Sequence, residues 1–141
     1  MELEQIQTEI QLDSVLNETK LDTESLKIPM LHSKWYNYLI FEAQTLKRVE
    51  RTFNKVKKAR IEYYLGKAPD EVYKEHPKPY NVLKQDLELY LSADDEYQVQ
   101  QELITNQQIK IDLIEQFLKQ VSQRSFNIKN AIDFMKFKSG L

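Results

Sequence analysis

Apolar residues recur every three or four positions along most of this 141-residue chain, which is the period of amphipathic helices. Leu3, Ile6 and Ile10 mark a short first helix that ends by Asn17 to Thr19. Trp35, Leu39, Leu46, Val49, Phe53 and Val56 mark a long second one. Pro29 suits its first turn, where the missing N–H costs nothing, and Gly66 suits its stop. Alternatively, the helix begins near Asp22 and Pro29 kinks it. Residues 66–80 hold Gly66, Pro69, Pro77 and Pro79 and read as a loop, with room for one helical turn after Pro69.

From 82 to 91 the period changes. Leu87, Leu89 and Leu91 alternate with Asp86, Glu88 and Tyr90, so a short strand or extended segment is favoured over a helix. Ser92 then caps a further helix running to about Gln123, with Asp94 and Asp95 favoured in its first turn by the helix dipole. Its seam is Ile104, Ile111, Ile114, Leu118 and Val121, widened by Leu113 and Phe117 and interrupted by Gln107 and Gln108. A final short helix uses Phe126, Ile128, Ile132, Met135 and Phe137 and stops at Gly140. The expected fold is mainly α: long amphipathic helices, at most a short strand or hairpin near 82–91, one domain over 1–141.

Composition narrows the chemistry. With no cysteine, disulfides, zinc–thiolate sites and thiol nucleophiles are excluded. No apolar run approaches the roughly 20 residues of a membrane span, and the acidic start lacks a signal-peptide pattern. A cytoplasmic protein is therefore expected. His32 and His76 lie far apart without a metal-ligand pattern, and no phosphate loop, nucleophile elbow or metalloprotease motif is present. No enzyme activity and no cofactor are expected.

Net charge is −2, which gives no bulk support to nucleic-acid binding. The distribution is more informative. Residues 1–28 carry seven acids against two lysines, and 29–68 carry nine bases against three acids. Residues 69–103 return to nine acids against three lysines, and 104–141 hold six bases against three acids. Within the basic segment, Lys47, Arg51, Lys55 and Lys58 fall in a helical arc of about 80°, opposite the apolar seam. Glu50 and Glu62 are expected to lie off that stripe, so it is not expected to be laced with i,i+4 ion pairs. Such a row suits repeated phosphate contacts. Lys57 and Lys58 then precede Tyr63 and Tyr64, and cations beside rings suit single-strand binding with base stacking. Arg60 falls on the apolar side. It either pairs with a carboxylate inside an oligomer interface or faces a central channel. The simpler reading of the stripe is a solvated face, and of the tyrosines, packing.

The apolar surface is large for so small a chain, and self-association through Ile104, Ile111, Ile114, Phe117, Leu118 and Val121 would bury more of it.

Several pieces are shared with one known family. Ser33-Lys34-Trp35 stands near the start of the long helix, Lys58-Ala59-Arg60 precedes Tyr63-Tyr64, and Leu91-Ser92-Ala93-Asp94 lies mid-chain. Arg124, Phe126, Ile128-Lys129, Asp133, Phe137 and Gly140 follow in the same order and spacing. Together they resemble the UvsY family of recombination mediators of T-even-like bacteriophages. Ser125 stands where that family carries Gly, which bears on the turn between the last two helices, and residues 66–90 match poorly. The resemblance implies single-stranded-DNA binding with Lys58 and Arg60 as matched positions, and a ring-like homo-oligomer assembled through the C-terminal half. It also implies loading of a RecA-like recombinase onto strands covered by single-strand-binding protein.

The resulting expectation is a non-enzymatic recombination mediator in the cytoplasm of an infected bacterial host. Residues 1–90 would bind DNA through Lys47, Arg51, Lys55, Lys57, Lys58, Arg60, Tyr63 and Tyr64, and residues 91–141 would oligomerise. The rivals are a coiled-coil adapter without DNA affinity and a metal-dependent nuclease built on Asp94-Asp95-Glu96.

Overall fold

The computed structural model describes residues 1–78 and 81–140. Their order is α1 (Leu3–Asp13), α2 (Leu21–Leu26), α3 (Ile28–Tyr64), α4 (Asp70–Glu75), a 3₁₀ turn (Lys84–Asp86), α5 (Leu87–Ser92) and α6 (Asp95–Lys138). Among the described residues there is no strand. The loop expectation at Pro79 and Tyr80 lies outside the described residues.

Helix α3 follows its pattern closely. Pro29 occupies its first turn, and α2 is a separate element. At the far end Gly66 adopts φ +75°, a left-handed conformation that glycine reaches without Cβ strain. The Lys67 N–H donates to the Glu62 carbonyl (2.8 Å) and the Gly66 N–H to that of Tyr63 (3.2 Å), the paired bonds that close a helix C-terminus.

Two expectations are corrected. The alternation at 86–91 belongs to a helix. Leu87 and Leu91 are four apart and share a helical face, with Leu91 buried, whereas Leu89 points out at 70% exposure. Nor is there a break near Gln123: α6 runs 44 residues without interruption. No glycine or proline lies between Gln123 and Ser139, so nothing in the backbone ends the helix there. Arg124 and Ile128 carry the buried face onward from Val121. Ser125, where a turn was expected, is simply helical.

The chain forms two compact units, Met1–Gln44 with Ile109–Leu141, and Thr45–Gln108. The first unit has its core at Ile6, Trp35, Ile114, Phe117, Leu118 and Val121. The Trp35 ring meets Phe117 edge-on at 4.9 Å and Tyr38 at 5.1 Å, a favoured aromatic geometry. Lys34 Nζ and Trp35 Nε1 each donate to Asp13 Oδ2 at 2.8 Å. Arg124 Nη2 donates to the Asp13 carbonyl at 2.7 Å, at the end of α1 where helical carbonyls lack intrahelical partners.

The second unit is organised by tyrosines. Tyr63 is buried, stacks on Tyr73 at 5.4 Å and donates to the His76 carbonyl at 3.0 Å. The Tyr73 hydroxyl donates to the Tyr63 carbonyl at 2.8 Å and accepts from the Ala68 N–H at 3.2 Å. The segment after Gly66 is thereby fastened to the end of α3. Phe53 meets Tyr97 at 5.3 Å.

Candidate nucleic-acid interface

The basic stripe lies in the second unit, on α3. Lys47, Arg51, Lys55, Lys57 and Lys58 are all exposed. At about 100° per residue, four of them share one face, and Lys57 lies to its side. Among the described residues Lys47, Arg51, Lys55 and Lys57 make no ion pair. Lys58 does pair with Glu62 at 3.7 Å, with side chains 79% and 40% exposed: at about 100° per residue Glu62 falls within the arc of the stripe and not off it, so the expectation of an unlaced stripe holds only up to Lys55. This pair is weak, since exposed ion pairs contribute about 0–1 kcal/mol.

Arg60 is different in kind. Its Nε donates to Asp94 Oδ2 at 2.8 Å, and its Nη2 lies 2.7 Å from the same oxygen. The Tyr64 hydroxyl donates to that oxygen too, at 2.6 Å. The other carboxylate oxygen, Oδ1, accepts the Tyr97 N–H at 2.9 Å and so caps α6. Ser92, the expected cap, instead ends α5 and donates to the Leu89 carbonyl. The Arg60 guanidinium also lies over the Tyr63 ring at 4.5 Å and the Tyr64 ring at 5.4 Å.

The electrostatics follow from this geometry. Burial pushes the Asp94 carboxyl up, but the hydrogen bonds from Tyr64, Arg60 and the Tyr97 N–H prevail and hold it below its ordinary 3.8. Burial opposes the charge on Arg60, yet its bonds to Asp94 and Tyr64 leave its pKa raised. The Tyr64 phenol is raised above 10.0 by burial and by its bond to the Asp94 carboxylate.

Of the eight residues expected to meet DNA, the structure brings Lys47, Arg51, Lys55, Lys57 and Lys58 to an exposed surface. Arg60, Tyr63 and Tyr64 are drawn inward. The carboxylate that Arg60 pairs with belongs to its own chain. Asp94 is the residue the sequence reading undervalued. The signal was present: a cation at an apolar helical position calls for a buried acid.

The expected association seam is likewise internal. Ile114, Phe117, Leu118 and Val121 are buried within the first unit, and Ile104 and Ile111 are half-buried. Four residues that already pack against Ile6 and Trp35 leave little surface for a partner. The strongly exposed apolar side chains of α6 lie further on, at Phe126 (68%), Phe134 (62%) and Phe137 (80%).

Among the described residues no group of three or more His, Cys, Asp or Glu is placed to hold a metal ion. Asp94, one of the three acids of the nuclease alternative, is already committed to Arg60, Tyr64 and the α6 cap. No described helix is long and apolar enough to cross a membrane.

Comparison with known proteins agrees with this architecture. The family model for the recombination, repair and ssDNA binding protein UvsY matches residues 9–141. The recombination protein uvsY of Enterobacteria phage T4 is 28% identical over 140 residues, covering 99% of both chains. Crystal structures of the bacteriophage T4 recombination mediator protein UvsY superpose closely. The type II lattice gives a TM-score of 0.85 at 28% identity over 99% of this chain and 98% of that one. The type IV lattice gives 0.83 at 27% identity over 98% and 99%. In sequence, helix order and three-dimensional arrangement alike, the chain belongs to the UvsY family of recombination, repair and single-stranded-DNA-binding proteins.

Proposed function

We propose that this chain is a recombination mediator that works by binding and carries out no covalent chemistry. It holds single-stranded DNA on the exposed face of α3 formed by Lys47, Arg51, Lys55 and Lys58, with Lys57 beside it. As a homo-oligomer it presents that strand to a RecA-like recombinase and eases displacement of single-strand-binding protein. Its setting is the cytoplasm of an infected bacterial host.

The observation that supports this reading best is the exposed, largely unpaired row of cations on one continuous helix. Each phosphate that such a row neutralises releases condensed counterions, so affinity should fall steeply with salt, by about 0.7 in slope per contact on a single strand. Tyr63 is buried and Tyr64 is engaged with Asp94, so the face offers charge rather than ring surfaces. Binding is therefore expected to be tolerant of base sequence.

One protomer has few such cations and a net negative charge. A ring-like assembly multiplies the weak contacts, because each additional stripe meets a strand already held close by. Exposed Phe126, Phe134 and Phe137 supply an apolar face on α6 for that association. A strand bound across several protomers is held extended and accessible, which favours nucleation of the recombinase over the competing coat.

Fluorescence anisotropy of a labelled oligonucleotide, titrated at several salt concentrations, tests the reading. The wild type should bind with strong salt dependence, and Lys47→Ala/Arg51→Ala/Lys55→Ala should weaken binding and flatten that dependence while leaving the fold intact. A folded wild type that ignores the oligonucleotide would leave a structural adapter as the better account.

A further inference from the structure

We infer that the two cations of Lys58-Ala59-Arg60 do different work: Lys58 faces the strand, whereas Arg60 and Asp94 are positioning residues whose ion pair holds the DNA-binding turns of α3 in place. This rests on the DNA-binding reading above.

The helical period puts the two cations on different faces of α3. At about 100° per residue, Arg60 lies about 200° from Lys58 around α3 and nearly opposite the centre of the stripe. A strand lying along Lys47, Arg51, Lys55 and Lys58 runs on the far side of the helix from Arg60.

The Arg60 side chain is also already committed. Two nitrogens of Arg60 are spent on one oxygen of Asp94, and its planar group is packed over two tyrosine rings. Its side chain is 19% exposed and that of Asp94 only 4%. A phosphate that captured Arg60 would strand a buried carboxylate, and removing one member of a buried pair is strongly unfavourable.

Asp94 in turn joins two helices. With Oδ2 it holds Arg60 and Tyr64, in the last two turns of α3, and with Oδ1 it caps α6 through Tyr97. One carboxylate thus ties the end of the DNA-binding helix to the start of the next long helix. Two motifs that are 34 residues apart in sequence, Lys58-Ala59-Arg60 with Tyr64 and Leu91-Ser92-Ala93-Asp94, form a single structural lock. Lys55, Lys57 and Lys58 lie in the turns next to it. Their spacing matches a run of phosphates only while those turns remain helical, and binding is tighter when the site is already ordered.

The test turns on Asp94→Asn. Asn retains the capping oxygen and removes one negative charge. If Arg60 served as a phosphate contact, freeing it from Asp94 should tighten DNA binding. The lock requires the reverse: Asp94→Asn and Arg60→Gln each weaken binding, by roughly fivefold or more, and the double variant is no worse than either single one. The salt slope separates the roles further. It should stay at the wild-type value in Arg60→Gln and fall by about 0.7 in Lys58→Ala.

Amide hydrogen exchange in the absence of DNA supplies a readout independent of binding. Faster exchange over residues 58–65 and 95–98 in Asp94→Asn is expected, and Tyr64→Phe, which removes one bond, should show a smaller change of the same sign should Asp94→Asn not fold. Tighter DNA binding by Asp94→Asn, or a reduced salt slope in Arg60→Gln, overturns the inference. So does unchanged exchange in both lock variants. A wild type that fails to bind DNA removes the DNA-binding reading instead, and the exchange data would still decide whether the lock exists.

Discussion

The indole of Trp35 and the carboxylate of Asp13 meet at 2.8 Å, joining α3 to the end of α1 in the first unit. Trp35 is fully buried, and its indole N–H, the one polar group of the side chain, donates to this carboxylate. Lys34, its neighbour, donates to the same oxygen from a side chain 39% exposed. Two adjacent residues of the Ser33-Lys34-Trp35 motif therefore share one acid, and Arg124 secures the carbonyl of that same residue.

Asp13→Ala leaves the buried indole N–H without a partner. A stranded buried donor costs about 1–3 kcal/mol, and a loss of about 2 kcal/mol is expected. Lys34→Met should cost under about 1 kcal/mol, because its ammonium is partly solvated. Urea unfolding followed by far-ultraviolet circular dichroism measures both. Equal losses in the two variants would show that the lysine, and not the indole, dominates the junction.

Asp94 predicts an acid limb in stability. Its carboxyl lies below 3.8 in the folded chain. Above 3.8 it is charged in both folded and unfolded states, and its full contribution is present. As pH falls below 3.8 the unfolded chain takes up the proton first, and the contribution is lost as pH approaches the folded value. Tyr64 acts at the other end. Raised above 10.0, its hydroxyl stabilises fully below pH 10.0, and that contribution drains away as pH rises and the unfolded chain ionises first. Denaturation midpoints measured against pH should therefore fall less steeply in acid for Asp94→Asn than for wild type, and less steeply in alkali for Tyr64→Phe.

These contacts also show which parts of the structure could be read from sequence. Helix α3 was legible because its signals are local: Pro29 at the start, Gly66 at the stop and an apolar residue every three or four positions between. The separation of Lys47, Arg51, Lys55 and Lys58 from the apolar face was legible for the same reason. Leu87, Leu89 and Leu91 misled because three residues at spacing two fit a strand, while their first and third members also fit one helical face. Over so short a run only tertiary burial decides. The continuity of α6 was hidden by Arg124, a polar residue on an apolar face whose acceptor is 111 positions away. Arg60 was visibly out of place, but period alone could not reveal that its acid was Asp94, because pairing across 34 residues is a property of the fold.

Among the described residues Glu62 is the one acid paired with the exposed stripe of α3 proposed to face the strand. Glu62→Gln should free Lys58 and remove a negative charge near the strand. Exposed pairs of this kind are worth about 0.2–1 kcal/mol, so single-stranded-DNA affinity should rise, by up to about fivefold. The gain should shrink at high salt, where surface charges are screened. Anisotropy titrations at low and high salt measure it, and an unchanged affinity at low salt would place the strand away from Lys58.

The core of α6 and its proposed association surface respond differently to substitution. Phe117 is 1% exposed and packs on Trp35. Phe117→Ala should therefore cost about 3–5 kcal/mol, the range for deleting a buried aromatic side chain. Its effect on assembly should come only through lost folding. Phe134 and Phe137 are 62% and 80% exposed, and at about 100° per residue they share one side of the helix with Phe126. Exposed rings contribute little to the fold of a single chain but much to an interface that desolvates them. Phe134→Ser/Phe137→Ser should therefore retain helical content while sedimentation velocity shows a shift to smaller species. DNA affinity should drop with it, because each strand then meets fewer stripes at once. An assembly that survives this double substitution, in a chain that still folds, would exclude that face and direct attention to the remaining exposed apolar residues of α6, Val99, Leu103, Ile109 and Met135.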